Sequence, residues 1–316
     1  MIELRQLRYF VTIVDAGSLT RAAELLYVAQ PALSQQLAAL ESNVNAKLLN
    51  RSSKGIKPTE AGLAMYKHAQ AVLKLVADTK GVVRMPEAGV SGRVRLGIPA
   101  TIAGILIAPL VDYLRDTRPG IILEVYENPS SYLAPQLLEQ RVDLSLLVDS
   151  IPGSGLIASP LLSENLYFVH HRDNHPLGKP TDVTLDEIQN IPLVLPTRST
   201  TLRQLIDNAF NARGIEPTVV AETSSMQTLL TLVAHSSVGT FQTIAAVRSH
   251  KDGRKLIASL IQPLMVRRLF LAYSKYAALS DAAVQVHAVI MDLAKNLVTA
   301  GHWPGAILQT NHVMIN

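Results

Sequence analysis

The sequence predicts an α/β protein built as an N-terminal winged helix-turn-helix, a long linker helix and a C-terminal two-lobed α/β domain. Three observations predict it. Apolar residues recur at helical spacing three times before residue 45, and a longer seam of them runs through 65–83. Beyond residue 92, strand-like and helix-like runs alternate to about residue 300.

Leu7, Phe10, Val11 and Val14 repeat at i, i+3, i+4 and i+7 before Gly17 breaks the pattern, so the chain opens with an amphipathic helix. Ser18 caps a second short helix carrying Leu19, Ala22, Ala23 and Leu26, with alanines small enough for close helix approach. A tight turn at 27–29 leads to a third helix. Gln30 and Pro31 start it, the proline standing where a missing N–H costs nothing, and Leu33, Leu37, Leu40 and Val44 line one face. Gln35 and Gln36 point elsewhere. The basic stretch 49–58, with Gly55 at its turn, reads as a two-stranded wing.

Thr59 opens a helical segment reaching about residue 84, roughly 40 Å long. Met65, Ala69, Val72, Val76, Thr79 and Val83 alternate along it by four and three, a coiled-coil seam that predicts pairing with a second copy. Residues 86–92, with Pro and Gly, form a linker. Strands are expected at 93–98, 121–126, 144–148, 167–170, 193–195, 218–222, 238–241 and 266–273, and helices at 102–115, 131–140, 202–213, 226–234 and 282–298. That rhythm suits two lobes better than one sheet. The expected organisation is a head at 1–58 with its helix-turn-helix at 18–37, a linker helix at 59–88 and a domain at 91–300. Lobe I comprises 91–163 and 268–300, and lobe II 164–267. The tail 301–316, with Trp303, carries no readable signal.

A chain of 316 residues, 48% hydrophobic and 17% charged, supplies two or three buried cores. The absence of cysteine excludes disulfides, thiolate metal sites and thiol redox sensing, and suits a reducing cytoplasm. Glu3, Arg5, Arg8 and Asp15 interrupt any secretory signal, so no export is expected. The apolar run 102–111 contains Pro109 and ends at Asp112, well short of the roughly 20 residues of a bilayer span, so no membrane partner is expected either. Residues 1–90 hold 11 Lys+Arg against 7 Asp+Glu, whereas 91–316 hold 18 of each. All of the net charge of +4 therefore lies in residues 1–90, as in a polyanion-binding unit on a neutral body.

A helix-turn-helix holds one exposed helix where its N-terminal residues can enter a major groove. Here these are Gln30, Pro31, Ala32, Ser34 and Gln35. Glutamine can pair with adenine through two hydrogen bonds, and serine can donate or accept. Arg51, Lys54 and Lys57 of the wing would sit over phosphates. Three short helices also make an ordinary bundle, in which Gln and Ser are merely solvated.

Arg5-Gln6-Leu7-Arg8-Tyr9-Phe10, Gly17-Ser18-Leu19-Thr20-Arg21-Ala22-Ala23 and Gln30-Pro31-Ala32-Leu33-Ser34-Gln35-Gln36-Leu37 resemble the N-terminal domain of LysR-type transcriptional regulators. The likeness continues through Leu40-Glu41, Leu48-Leu49-Asn50-Arg51 and Pro58-Thr59-Glu60-Ala61-Gly62, with Leu49 where family members usually carry Phe. Residues 5–42 are most similar to the nitrogen-assimilation-control subgroup. The resemblance covers nearly the whole chain. It implies homodimers or homotetramers that bind an interrupted palindrome in double-stranded DNA and activate or repress transcription, with RNA polymerase as a further partner. Paired reading helices imply half-sites about 34 Å or its multiples apart.

By the same resemblance, a small anionic effector would lie between two periplasmic-binding-protein-like lobes, where helix N-termini favour anions. The matching positions are Pro99, Ala100 and Thr101 in lobe I and Thr197, Arg198, Ser199 and Thr200 in lobe II, with Arg198 able to pair with a carboxylate. In the bland alternative Ser199 and Thr200 only cap a helix and Arg198 is solvated. Asp149 belongs either to this cleft or to a strand-end turn. Relatives often carry a Gly-rich stretch and Pro where this chain has residues 234–243, and Phe241 there either stacks on a ligand or fills core.

Nine histidines invite a comparison with enzymes. His171 and His175 are four apart, but Arg172-Asp173-Asn174 and Pro176 mark a loop, and neither a nucleophile elbow nor a Gly-rich phosphate loop occurs. Neither an enzyme nor a cofactor or metal is therefore expected. A transport solute-binding protein would use the same two lobes, and the basic helical head argues against it.

Overall fold

The computed structural model describes residues 1–52, 55–82, 89–149, 155–173 and 181–309. Lys54, Val83, His175 and the last part of the tail lie outside them. In the head, α1 (Leu4–Ala16), α2 (Leu19–Leu26) and α3 (Gln30–Asn43) close on Phe10, Ile13, Ala22, Leu33 and Leu40, all nearly fully buried. Gly17 ends α1 at φ 63, a left-handed conformation costly for other residues. β1 (Leu49–Ser52) and β2 (Gly55–Pro58) form an antiparallel wing. The Ile56 N–H donates to the Gly17 carbonyl at 2.9 Å, which ties the wing to the turn between α1 and α2. The Glu41 carboxylate accepts from the backbone N–H groups of Leu48 and Leu49 at 2.8 and 3.3 Å and from Lys47 at 2.9 Å, fixing the approach to the wing.

α4 (Glu60–Val82) leaves the wing through Gly62, where an added Cβ would stand 1.9 Å from the Leu48 carbonyl oxygen. Its first turns belong to the head. Ala69 is 1% exposed within the core that holds Phe10 and Ile13, and Met65 packs against that core. This corrects the expected seam, because α1 needs a cover for its apolar stripe and the early part of α4 supplies it. The apolar face left open carries Val72, Leu75 and Val76.

Two six-stranded sheets follow. β3 (Gly92–Ile98), α5 (Ala100–Thr117), β4 (Ile121–Glu127), α6 (Ser130–Leu138), β5 (Leu144–Val148) and β6 (Leu156–Asn165) begin lobe I. The chain then builds lobe II from β7 (Tyr167–His171), β8 (Asp182–Thr184), α7 (Leu185–Ile188), β9 (Leu193–Pro196), α8 (Thr201–Asn211), β10 (Val219–Thr223), α9 (Met226–His235), β11 (Gly239–Gln242), α10 (Ile244–Ser249) and β12 (Leu256–Gln262). It returns to lobe I with β13 (Val266–Ser274), α11 (Asp281–Thr299) and β14 (Ala306–Leu308). Strand order is β14-β6-β13-β5-β3-β4 in lobe I and β10-β9-β11-β7-β12-β8 in lobe II. Lobe II is thus inserted into lobe I. Its entry and exit meet where the Leu166 N–H donates to the Met265 carbonyl at 2.8 Å.

Ile102, Leu106, Leu110 and Leu114 recur every four residues, so α5 lays one stripe on Val94, Leu96 and Ile98 of β3. In lobe II, Phe241 meets Phe168 and Phe210 edge to face at 5.9 and 5.8 Å between ring centres, which makes it a core residue. The tail expectation needs correction. Trp303 is 2% exposed in the lobe I core, and β14 pairs with β6, so residues up to 308 belong to that lobe.

Candidate functional site

The head presents one exposed face. Ala29 leads into α3 in an extended conformation without a side-chain cap, so the first N–H groups of the helix lack a partner of that kind. Gln30, Pro31, Ala32 and Gln35 are exposed and Ser34 is half-buried. Arg51 on β1 donates to Ser34 Oγ at 3.3 Å, which puts the wing and the start of α3 on the same side. Lys57 is exposed on β2. Gln36 is drawn back toward α1, accepting from Gln6 Nε2 at 3.3 Å.

A cleft of about 470 Å³ lies between the lobes. Four helices begin at its walls: α5 and α6 from lobe I, α8 and α9 from lobe II. The lobe II helices are capped by their own hydroxyls, Thr200 accepting from the Arg203 N–H and Ser225 from the Thr228 N–H, each at 3.2 Å. The lobe I helices start after Pro99 and Pro129, which have no side chain able to cap them. Their first N–H groups therefore carry the positive end of the helix dipole to the cleft.

Arg267 crosses between the lobes at the start of β13 and lines the cleft. It donates to Glu164 Oε2 through Nε at 2.8 Å and Nη2 at 2.7 Å, and to Thr101 Oγ1 at 3.0 Å. Its charge is thus balanced inside the protein. Gln242, 2% exposed, also lines the cleft, and its Oε1 has no hydrogen-bond partner among the described residues. Glu127 is exposed at the wall.

Of the positions expected from sequence, Pro99, Ala100, Thr101 and Thr200 line this cleft, and Thr197, Arg198 and Ser199 do not. The Arg198 side chain is 80% exposed with its Nε 3.8 Å from Glu222 Oε1, so it faces solvent beside an acid. The buried arginine of that region is Arg203, held by Asp207 and Glu222 at 2.7 Å. Asp149 is a strand-end residue at φ 51 whose Oδ1 accepts from the Arg268 N–H at 2.7 Å. Burial pushes its carboxyl above the usual range against the pull of Arg267 and Arg268.

Sequence reasoning missed Arg267, Gln242, Ser130 and Gln227. One signal was present: Arg267 shares the inward face of its strand with Leu269 and Leu271, a pattern that buries a charge and requires a partner for it. Among the described residues, no group of three or more His, Asp or Glu could hold a metal, and no helix is long and apolar enough to cross a membrane.

Residues 4–63 match the family model described as a bacterial regulatory helix-turn-helix protein of the lysR family, and residues 87–295 match the LysR substrate binding domain. The chain is 34% identical over 294 residues to the nitrogen assimilation regulatory protein nac of Klebsiella aerogenes, covering 92% of this chain and 95% of that protein. Its fold is similar to that of a full-length OxyR variant from Pseudomonas aeruginosa, with a TM-score of 0.72 at 22% identity over 99% of both chains. It is also similar to full-length CbnR solved with its target DNA, with a TM-score of 0.63 at 20% identity over 93% of this chain and 100% of that one.

Proposed function

This chain belongs to the LysR family of bacterial transcriptional regulators, and we propose that it reads an interrupted palindrome through α3 and the wing under control of a small anion between its lobes. It is a DNA-binding regulator, and its relatives are regulators rather than transport receptors or enzymes. The observation that carries the assignment of contacts is the Arg51–Ser34 hydrogen bond, because it aligns a phosphate-binding cation with a base-reading helix. Gln30, Ser34 and Gln35 are the base readers. Pro31 and Ala32 allow close approach to the groove, and Arg51, Lys54 and Lys57 neutralise phosphates.

Two uncapped helix N-termini support an anion in the cleft, seated on Ala100, Thr101 and Ser130. Arg267 is already neutralised by Glu164, which favours a singly charged anion over a multiply charged one. Two copies pair through the open face of α4 at Val72 and Val76, and homotetramers arise from such dimers. The regulator works in the cytoplasm and acts on RNA polymerase at the promoters it binds. The likeness to a nitrogen assimilation regulator makes nitrogen-supply genes the first targets to examine.

The test is selection of genomic fragments by the purified protein, followed by sequencing and a salt titration on the best site. A dyad-symmetric motif beside promoters supports the proposal. Binding that is indifferent to sequence refutes base reading by α3.

A further inference from the structure

We propose that α6 couples the cleft to the DNA-binding head, its first turn forming cleft wall and the corner after its last turn latched to α1 and α4 through Asp15, Tyr66 and Arg141. The inference rests on the cleft being the ligand site proposed above, and adds how that site would be felt by the head.

At the cleft end, Pro129, Ser130 and Tyr132 line the wall, and Ser130 Oγ accepts from the Val148 N–H at 2.9 Å. Along its length of nine residues, Leu133, Ala134 and Leu137 are buried against Leu147 and Ala272. A short helix gripped in this way shifts as one body. At the far end, Gln140 takes a left-handed conformation at φ 55 and its Nε2 donates to the Lys67 carbonyl of α4 at 3.2 Å. Arg141 Nη2 donates to Asp15 Oδ1 at 3.3 Å, and the Tyr66 hydroxyl donates to the same oxygen at 2.5 Å. One carboxylate oxygen of α1 therefore gathers a donor from α4 and a donor from lobe I. Lys67 Nζ lies 5.7 Å from the ring centre of Tyr276, a second link from α4 to lobe I.

The two halves of the latch differ in strength. Tyr66 is 5% exposed and sits in the head core, whereas the Arg141 and Asp15 side chains are 54% and 42% exposed, and Arg141 is shared with Glu139 at 3.1 Å. An exposed, shared ion pair contributes little and opens readily. The Asp15–Tyr66 bond holds the acceptor in place while the Arg141 bond makes and breaks. An anion on the first turn of α6 would bias that equilibrium only through unequal affinity for the two positions of the helix. Coupling is reciprocal, so DNA bound by the head must alter the cleft.

The reciprocal direction needs no knowledge of the ligand. Hydrogen exchange of the full-length protein is followed by mass spectrometry with and without its selected DNA site, reading the peptide that spans 128–133. The expected result is a change of about fivefold or more in the exchange rate of that peptide on DNA binding. Arg141→Ala should remove the remote change while leaving DNA affinity within about twofold, since Arg141 lies in lobe I outside the proposed DNA face. Arg141→Lys should restore part of it. Exchange at 128–133 that is indifferent to DNA in the wild type overturns the proposal, as does an undiminished change in Arg141→Ala. A wild type that selects no site at all fails at the earlier step, refuting the DNA reading and this inference with it.

Discussion

The Trp303 indole donates through Nε1 to Glu164 Oε1 at 2.9 Å, on the carboxylate oxygen that Arg267 leaves unused. Glu164 is 1% exposed and both of its oxygens are satisfied, one by the C-terminal segment and one by the strand that crosses between the lobes. Arg267 then reaches Thr101 in the cleft wall. The C-terminal segment therefore braces the cleft wall from behind.

Removing Arg267 should be costly for that reason. Arg267→Met strips a buried carboxylate of its cation, with an expected loss of about 3–5 kcal/mol in urea unfolding. A loss below about 1 kcal/mol would mean that water or a neighbouring group replaces the guanidinium.

Gly62→Ala tests the packing of α4 on the wing. A methyl group 1.9 Å from the Leu48 carbonyl oxygen forces the helix or the wing to move, at about 1–3 kcal/mol or more by thermal unfolding. DNA affinity should fall with stability, because the wing carries Arg51 and Lys57.

Base readers and phosphate contacts separate by salt. Gln35→Ala should cost about 1–3 kcal/mol on the selected site and little on random DNA. Arg51→Ala and Lys57→Ala should weaken both and lower the slope of log affinity against log salt by about one each. Equal losses for all three variants on both DNAs would remove the base-reading role of α3.

What was legible in the sequence was the short-range pattern. Gly17, Ser18 and Pro31 mark helix boundaries by local backbone chemistry, and α1, α2 and α3 follow from them. Partners far apart in the chain were not legible: Glu164 lies 103 residues from Arg267 and 139 from Trp303. β6, β8 and β12 escaped notice for lack of clean alternation, β6 holding Pro160 and Glu164 within its run. The heptad pattern of α4 could not separate residues covered by α1, such as Ala69, from those still open, such as Val72, since both stripes are apolar. Arg198 had the chemistry for a carboxylate but precedes the Thr200 cap by two residues, where the backbone turns it outward toward Glu222.

Arg198→Ala should accordingly leave ligand affinity and transcriptional response unchanged within about twofold. Thr101→Val removes the hydroxyl that accepts from Arg267 and should weaken ligand binding. Reversal of the two outcomes would move the anion site to the surface near Glu222.

Glu41 gives the head a dependence on pH. Burial raises its pKa, but the hydrogen bonds from Lys47, Leu48 and Leu49 outweigh burial and hold it below the ordinary 4.5. A depressed carboxylate stabilises the fold above its unfolded pKa, and that contribution disappears as pH falls through the folded value. Wild-type stability should therefore fall more than that of Glu41→Gln between about pH 7 and about pH 3. Parallel declines in urea unfolding would show that Glu41 contributes nothing to acid sensitivity.

Lobe II enters and leaves its host within one hydrogen bond, Leu166 to Met265. A segment with neighbouring ends can be lifted out as a unit and its host reclosed by a short bridge, without threading or reordering any strand. The half of the cleft that it contributes is therefore portable. If the cleft holds the ligand, its preference should pass between regulators when 167–262 is grafted as a cassette, with the head and α4 left as they are.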